Sequence, residues 1–281
     1  MKLIADCGST KIDWCLLENG SVARRFNTTG INAVMLTEEE IRQRLLLELQ
    51  PLIDADADAI SEIFFYGAGC ISPDVCRNVE RALRAVIPGV GQVDVRTDLL
   101  AAARALCGHE PGIACIMGTG SNSCWYDGRE IRENVSPLGF ILGDEGSGAV
   151  LGKLFLGDVL KNQLRPELTE EFLREYNLDR MTVIRRVYRE PAANRFLASV
   201  VPFLSAHIAE PRIHRLVLDA FRAFFRRNVC QYPHYDRLPV NFVGSVAFYF
   251  QDVLRDAAEQ CSCTVGTVIK SPMEGLVKFH A

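Results

Sequence analysis

Three runs of small residues could surround an anion: Asp6-Cys7-Gly8-Ser9-Thr10-Lys11, Gly118-Thr119-Gly120-Ser121-Asn122 and Gly244-Ser245. Each follows an apolar run that reads as a buried strand. A Gly, Ser and Thr turn in that position offers backbone N–H groups and hydroxyls to phosphate oxygens. The standard phosphate loops fail residue by residue. Gly152-Lys153 has Ser147 where a Walker A loop needs glycine and Leu154 where it needs a hydroxyl. Gly118-x-Gly120 has Ser123 in place of the third glycine of a dinucleotide fingerprint. No Gly-x-Ser-x-Gly pentapeptide exists to form a hydrolase nucleophile elbow.

The elements that must position these turns repeat. Lys2–Ala5 and Trp14–Leu17 read as strands, and Asn19-Gly20 as a hairpin turn, because both residues tolerate positive φ. Val22–Phe26 completes the set. Ile113–Met117, Cys124–Tyr126, the Asp127-Gly128 turn and Glu130–Arg132 then repeat the order. Gly8 maps onto Gly120 with an offset of 112 residues, and Trp14 maps near Trp125. An internal duplication is expected, with two domains meeting near residue 108. Thr37 with Glu40 predicts a capping box before a helix carrying Ile41, Leu45, Leu46 and Leu49. Strand Ile63–Tyr66, helix Asp74–Ile87 and strand Val93–Val95 follow, with an N-cap at Asp98 before helix Leu99–Cys107. In the second half the expected helices are Glu145–Leu160, Thr169–Tyr176, Met181–Tyr188, Pro191–His207 and Arg212–Cys230. Strand Val240–Val243, a helix to Gln260, strand Thr264–Ile269 and a last helix from Met273 close the chain.

Composition excludes several classes. The chain has 281 residues, 48% hydrophobic and 23% charged, with 31 basic against 35 acidic side chains and a net charge of −4. That is globular material with no basic stripe for nucleic acid. No run approaches the roughly 18 apolar residues of a membrane span; Val200–Ala209 is broken by Pro202, Ser205 and His207. Only Leu3, Ile4 and Ala5 separate Lys2 from Asp6, so no signal peptide is expected and a cytoplasmic location is. The ten cysteines form no CxxC pair, and Cys261-x-Cys263 is the sole close spacing. They are expected to be reduced, small core groups.

The ordered set of turns resembles the actin-like ATPase and sugar kinase superfamily, and within it the BadF/BadG/BcrA/BcrD-type ATPases of N-acetylglucosamine kinase type. Asp6-x-Gly8-Ser9-Thr10-Lys11 is similar to the first phosphate motif, Gly118–Asn122 to the second, and Gly244-Ser245-Val246 to the adenosine motif. Gly143-Asp144-Glu145-Gly146-Ser147 resembles the subgroup's sugar-side motif and is the most specific element. Cys7, Lys11 and Ser245 depart from the common pattern. The resemblance implies two ribonuclease-H-like α/β domains, 1–108 and 109–271, hinged around a cleft. The last helix, 272–281, would pack back on the first domain.

The same resemblance implies an ATP-dependent kinase for an amino sugar, most simply N-acetylglucosamine at its 6-hydroxyl. It implies Mg²⁺ facing Asp6 and a general base at Asp98 that accepts the sugar hydroxyl proton. Gly8, Ser9, Thr10, Lys11, Gly118, Thr119, Gly120, Ser121, Gly244 and Ser245 would hold ATP. Asn32, Asp98, Asn122, Gly139 and Asp144 would meet the sugar. A homodimer is compatible with it. Two alternatives stay open: an iron–sulfur reductase-activating ATPase of the same superfamily, and a non-catalytic sugar sensor. A DNA-binding repressor is not expected, because no helix-turn-helix precedes residue 1.

Overall fold

The computed structural model describes residues 1–8 and 10–281, so the expectation at Ser9 lies outside the described residues. The chain divides into two compact units, Met1–His109 with Pro272–Ala281, and Glu110–Ser271.

The first unit carries β1 (Lys2–Cys7), β2 (Lys11–Glu18), β3 (Ser21–Thr29), β4 (Glu62–Gly67) and β5 (Gln92–Thr97) in the order β3-β2-β1-β4-β5. The first three are antiparallel, whereas β4 and β5 continue parallel to β1. Asn19 and Gly20 turn the β2–β3 hairpin with φ of 50° and 75°, the left-handed pair that a tight hairpin demands. Thr37 and Glu40 form the expected capping box on helix Glu38–Arg44. That helix continues through a wider π turn, Leu45–Leu49, which buries Leu45 and Leu49 but leaves Leu46 at the core edge. Pro73 opens helix Pro73–Val86 under a Ser72 cap, since proline at the first helical position has no N–H to leave unpaired.

The second unit carries β6 (Gly112–Met117), β7 (Ser121–Tyr126), β8 (Ile131–Glu133), β9 (Pro239–Val243) and β10 (Thr264–Ile269), ordered β10-β9-β6-β7-β8. Strand for strand this is the topology of the first unit, with β6–β7–β8 antiparallel and β6, β9 and β10 parallel. The duplication is therefore one of fold, but the tryptophans are not equivalent. Trp14 pairs with Ala5, third from the β1–β2 turn end, and Trp125 with Ile113, fifth from the β6–β7 end. Trp14 is buried and donates its indole N–H to Thr28 Oγ1 at 2.8 Å; Trp125 packs at the edge of its core.

Three predicted helices change, the last of them, expected to run to Gln260, breaking at Phe250 into Ser245–Tyr249 and Gln251–Glu259. The first begins at Gly148 rather than Glu145, because the Ser147 hydroxyl accepts the Val150 N–H and caps it there. The stretch Pro191–His207 breaks into Ala193–Ala198 and Val201–Ala206, as Pro202 cannot supply the N–H that would carry one helix through. Phe155, Phe172 and Phe203 pack beneath them with ring centroids 4.9 to 5.7 Å apart. Among the described residues no helix is long and apolar enough to cross a membrane.

The last helix, Met273–His280, belongs to the first unit. Its His280 ring stacks on Phe64 at 3.8 Å and bonds Tyr66 Oη through Nε2 at 2.8 Å. Arg104 donates to the same Tyr66 oxygen at 2.7 Å. Burial, helped by the Arg104 and Lys2 charges, pushes the imidazole pKa down to about 4. The unfolded chain then binds the extra proton between pH 6.5 and 4, so this contribution is complete above pH 6.5 and is lost as pH falls toward 4. Between pH 7 and 4.5 the wild type is expected to lose about 2 kcal/mol more unfolding free energy than His280→Gln. Denaturant melts at both pH values check this, and parallel losses in the two proteins would remove His280 as the cause.

Candidate active site

The parallel strands of the first unit end in register: Cys7 faces Gly67, and Gly67 faces Thr97. Ligands of open α/β sheets bind outside such carboxyl ends, and there the chain sets its acidic groups. Asp6 lies opposite Asp13 across the β1–β2 ladder. Burial, then the Asp13 and Asp98 charges, push the Asp6 carboxyl up to about 7, against a lowering by Lys11. Like charges directly opposite one another are unfavourable in a sheet. A hard cation would relieve both the crowding and the desolvation, so the donor set fits Mg²⁺ with Asp6 as its carboxylate. Asp13 was not singled out from the sequence; the alternation across a tight antiparallel turn is the signal that would have found it. Lys11 Nζ sits 2.9 Å from Asp13 Oδ1, and the Asn27 carboxamide donates to the same oxygen.

Asp98 is not the helix cap. Thr97 takes that place, its hydroxyl accepting the Leu100 N–H at 3.1 Å, and Asp98 becomes the first helical residue. The cause is local: Thr97 keeps the extended backbone of β5, and its short hydroxyl already reaches the orphan donor. The Asp98 carboxyl is held by its own and the Leu99 N–H, yet burial outweighs them and raises its pKa. A carboxylate raised in this way at a helix start is suited to accept a proton.

The loop carrying Asn32 joins the same edge. The Cys7 thiol donates to Ile31 O at 3.3 Å, and burial raises that thiol to about 12, so it stays protonated. Cysteine in the first motif is thus a core group fastening the loop. Asn32 Oδ1 accepts the Val34 N–H at 3.3 Å, and the side chain packs on Gly69. In the first turn, Gly8 N–H donates to Lys11 O at 3.0 Å and Gly30 N–H to Thr10 O at 2.9 Å, with the Thr10 side chain exposed.

In the second unit, Gly118 and Thr119 share a pocket of about 490 Å³ with Gly148 and Ser245. Ala198, Val201, Tyr249 and Phe250 add apolar lining. The turn is fixed by Gly148 N–H on Gly118 O (2.8 Å) and Ala149 N–H on Thr119 O (3.0 Å). Its small residues, with a helix start beside them, suit phosphate, and the apolar wall suits a base. The Ala198–Pro202 wall was invisible in sequence because nothing in it marks a ligand.

The sugar-side loop lies on the same turn. Asp144 Oδ2 would stand 3.1 Å from a Cβ at Gly120, so the bare glycine gives the carboxylate its room there. Asp144 has φ of 53°; burial raises its pKa, opposed by the Ser121 N–H. Gly139 comes close, as Gly143 N–H bonds Gly139 O at 2.7 Å and Asp144 N–H bonds Pro137 O at 2.9 Å. Ser121 and Asn122 are engaged internally. The Ser121 hydroxyl donates to Glu145 O at 2.9 Å, and Asn122 Oδ1 accepts from Asn134 at 2.9 Å. Asp144 does not cap the following helix, a role that Ser147 fills. None of the ten cysteines is in a disulfide, and among the described residues no group of three or more His, Cys, Asp or Glu converges as for a metal centre.

No family model matches the chain, and no curated protein does. Solved structures do. One from Porphyromonas gingivalis, provisionally described as an N-acetylglucosamine kinase, is 48% identical, with 100% of this chain and 98% of that one covered and a TM-score of 0.96. A second from Chromobacterium violaceum, described in the same way, is 22% identical over 100% and 98%, with a TM-score of 0.77. A ROK family glucokinase from Streptomyces griseus, in complex with glucose and AMPPNP, shares the fold at 15% identity over 99% and 97%, with a TM-score of 0.56. Fold and site together define a two-domain protein of the actin-like ATPase class. The chain belongs to the sugar kinase family that includes the Porphyromonas gingivalis structure.

Gly244 closes the second-unit site by its backbone. Its φ is 130°, and a Cβ there would stand 2.3 Å from Met117 O. Gly244→Ala is expected to cost about 2–4 kcal/mol through strain and overlap. A denaturant midpoint equal to wild type would mean that the turn relaxes freely.

Proposed function

We propose that the chain is an ATP-dependent kinase that transfers the γ-phosphoryl group to N-acetylglucosamine at its 6-hydroxyl, as a BadF/BadG/BcrA/BcrD-type member of the superfamily. One observation carries the reading: the pocket built on Gly118, Thr119 and Ser245 shares its turn with the loop that places Asp144 over Gly120. A nucleotide site and a polyhydroxylated-ligand site are thereby built from one piece of backbone. The descriptions of the Porphyromonas gingivalis and Chromobacterium violaceum structures support the same sugar.

In this reading Gly118, Thr119, Gly120, Ser121, Gly244 and Ser245 hold ATP in the second unit, and Gly8, Thr10 and Lys11 meet its phosphates from the first. Asn32, Gly139 and Asp144 bind sugar hydroxyls, with Asn122 supporting them. Asp98 accepts the proton of the attacking hydroxyl as the phosphoryl group arrives. Asp6 holds Mg²⁺, which when bound neutralises charge developing on the phosphate oxygens. Asp98 is freed for its role because Thr97 caps the helix.

ATP-dependent phosphorylation is expected with N-acetylglucosamine, and more weakly with glucosamine or glucose. Asp98→Asn should fold and lose activity by about 10²–10⁴-fold. A coupled ADP assay over a sugar panel checks both. Near-wild-type turnover by Asp98→Asn would remove the base, and an absence of sugar-dependent ADP would sink the kinase reading.

A further inference from the structure

We propose that Glu145 is a positioning residue, clamped to the end of helix Pro211–Arg227 so that Asp144 is held in place over the Gly118–Ser121 turn. The inference rests on the sugar kinase reading above. Glu145 Oε1 lies 2.7 Å from Arg227 Nε, and Oε2 accepts the Asn228 carboxamide at 3.2 Å. The Glu145 side chain is 14% exposed and that of Arg227 63%, so a sheltered carboxylate is covered by a guanidinium reaching in from solvent. The carbonyl of the same residue accepts the Ser121 hydroxyl at 2.9 Å. Through its backbone Glu145 therefore holds the phosphate turn, and through its side chain it holds the helix.

The neighbours reinforce this arrangement. Gly146 has φ of 73°, and a Cβ there would stand 3.0 Å from Met117 Cε and 3.1 Å from Phe221 Cδ1. The loop thus lies flat on the same helix. Asn228 also donates to Phe224 O at 3.2 Å, serving the helix end and Glu145 together. Glu145 also borders a pocket of about 380 Å³ that reaches Asp158, Arg212, Arg215 and Asp219.

Helix stability does not call for this placement. A carboxylate beside a helix C-terminus meets the negative end of the dipole, where a cation is preferred. Glu145 draws on the charge of Arg227, one of the two arginines that would otherwise serve that end. What the arrangement secures is the preceding residue. Asp144 is held in the left-handed region at φ of 53°, a conformation that aspartate tolerates better than most side chains but that still costs more than for glycine.

The test uses the full chain with Glu145→Gln, Arg227→Ala and the conservative Arg227→Lys. Glu145→Gln and Arg227→Ala are expected to raise the KM for N-acetylglucosamine about tenfold, as misplaced positioning groups do. The KM for ATP should stay within about twofold, and Arg227→Lys should recover most of the loss. Amide hydrogen exchange over residues 137–147 of the ligand-free protein should quicken in both disruptive variants, with melting temperatures within a few degrees of wild type. An unchanged sugar KM, an equal rise in both KM values, or unchanged exchange would overturn the clamp. If Arg227→Ala fails to fold, Glu145→Gln and Arg227→Lys decide by the same readouts. A wild type that phosphorylates no sugar would refute the kinase reading instead, and the exchange comparison would then decide the clamp alone.

Discussion

The second unit depends on one close approach, in which the backbone at Gly244 meets the backbone at Met117 and Gly118. A Cβ at Gly244 would lie 2.3 Å from Met117 O and 3.2 Å from Gly118 N. No side chain fits there, so the ends of β9 and β6 come together on bare main chain. The Gly244 N–H then bonds Ile269 O at 3.0 Å, which carries the contact on to β10. The three parallel strand ends are locked in one line, and the Gly118 turn is presented beside Ser245. The pocket of about 490 Å³ opens beside that contact, between Gly118 and Ser245. The first unit reaches a similar alignment by register alone, with Cys7, Gly67 and Thr97 abreast.

The aligned ends carry different chemistry because one position differs in charge. Next to the turn of the first unit the ladder pairs Asp6 with Asp13, whereas the second unit pairs Ile116 with Asn122. The first edge gathers negative charge at the expense of folding stability, and Asp98 adds to it. Such a cluster suits a cation and a proton acceptor. The second edge is neutral at the same place and offers backbone donors, which suits an anion. A duplicated fold thus yields two unlike strand edges through a few substitutions at fixed rungs.

Much of this was legible in the residues. Hairpin turns, the capping box and the alternation of strand and turn are local, so Asn19-Gly20, Thr37 with Glu40, and the paired Gly-rich turns announced themselves. The duplication could be read because turns need particular residues at particular places. Its finer register could not, and the two tryptophans, matched by order along the chain, stand on different rungs. The helix starts near Asp98 and Asp144 were each misplaced, since several side chains could have capped them. Thr97 and Ser147 win because their hydroxyls sit on extended backbone next to the orphan N–H groups. Asp98 and Asp144 are thereby left free for other work.

The sequence by itself determined the local vocabulary: which segments turn, which are buried, and that two similar halves carry phosphate-type turns, the first of them with acidic strand ends. Those properties follow from the φ/ψ preferences and polarity of neighbouring residues. The tertiary structure decided which of the groups meet. Asp13 faces Asp6, Asp144 rests on Gly120, Glu145 turns away toward Arg227, and Ala198 and Val201 wall the pocket, across separations that local preference does not encode. Strand register and helix packing are settled by burial summed over a whole unit, so these pairings exist only once each core has closed.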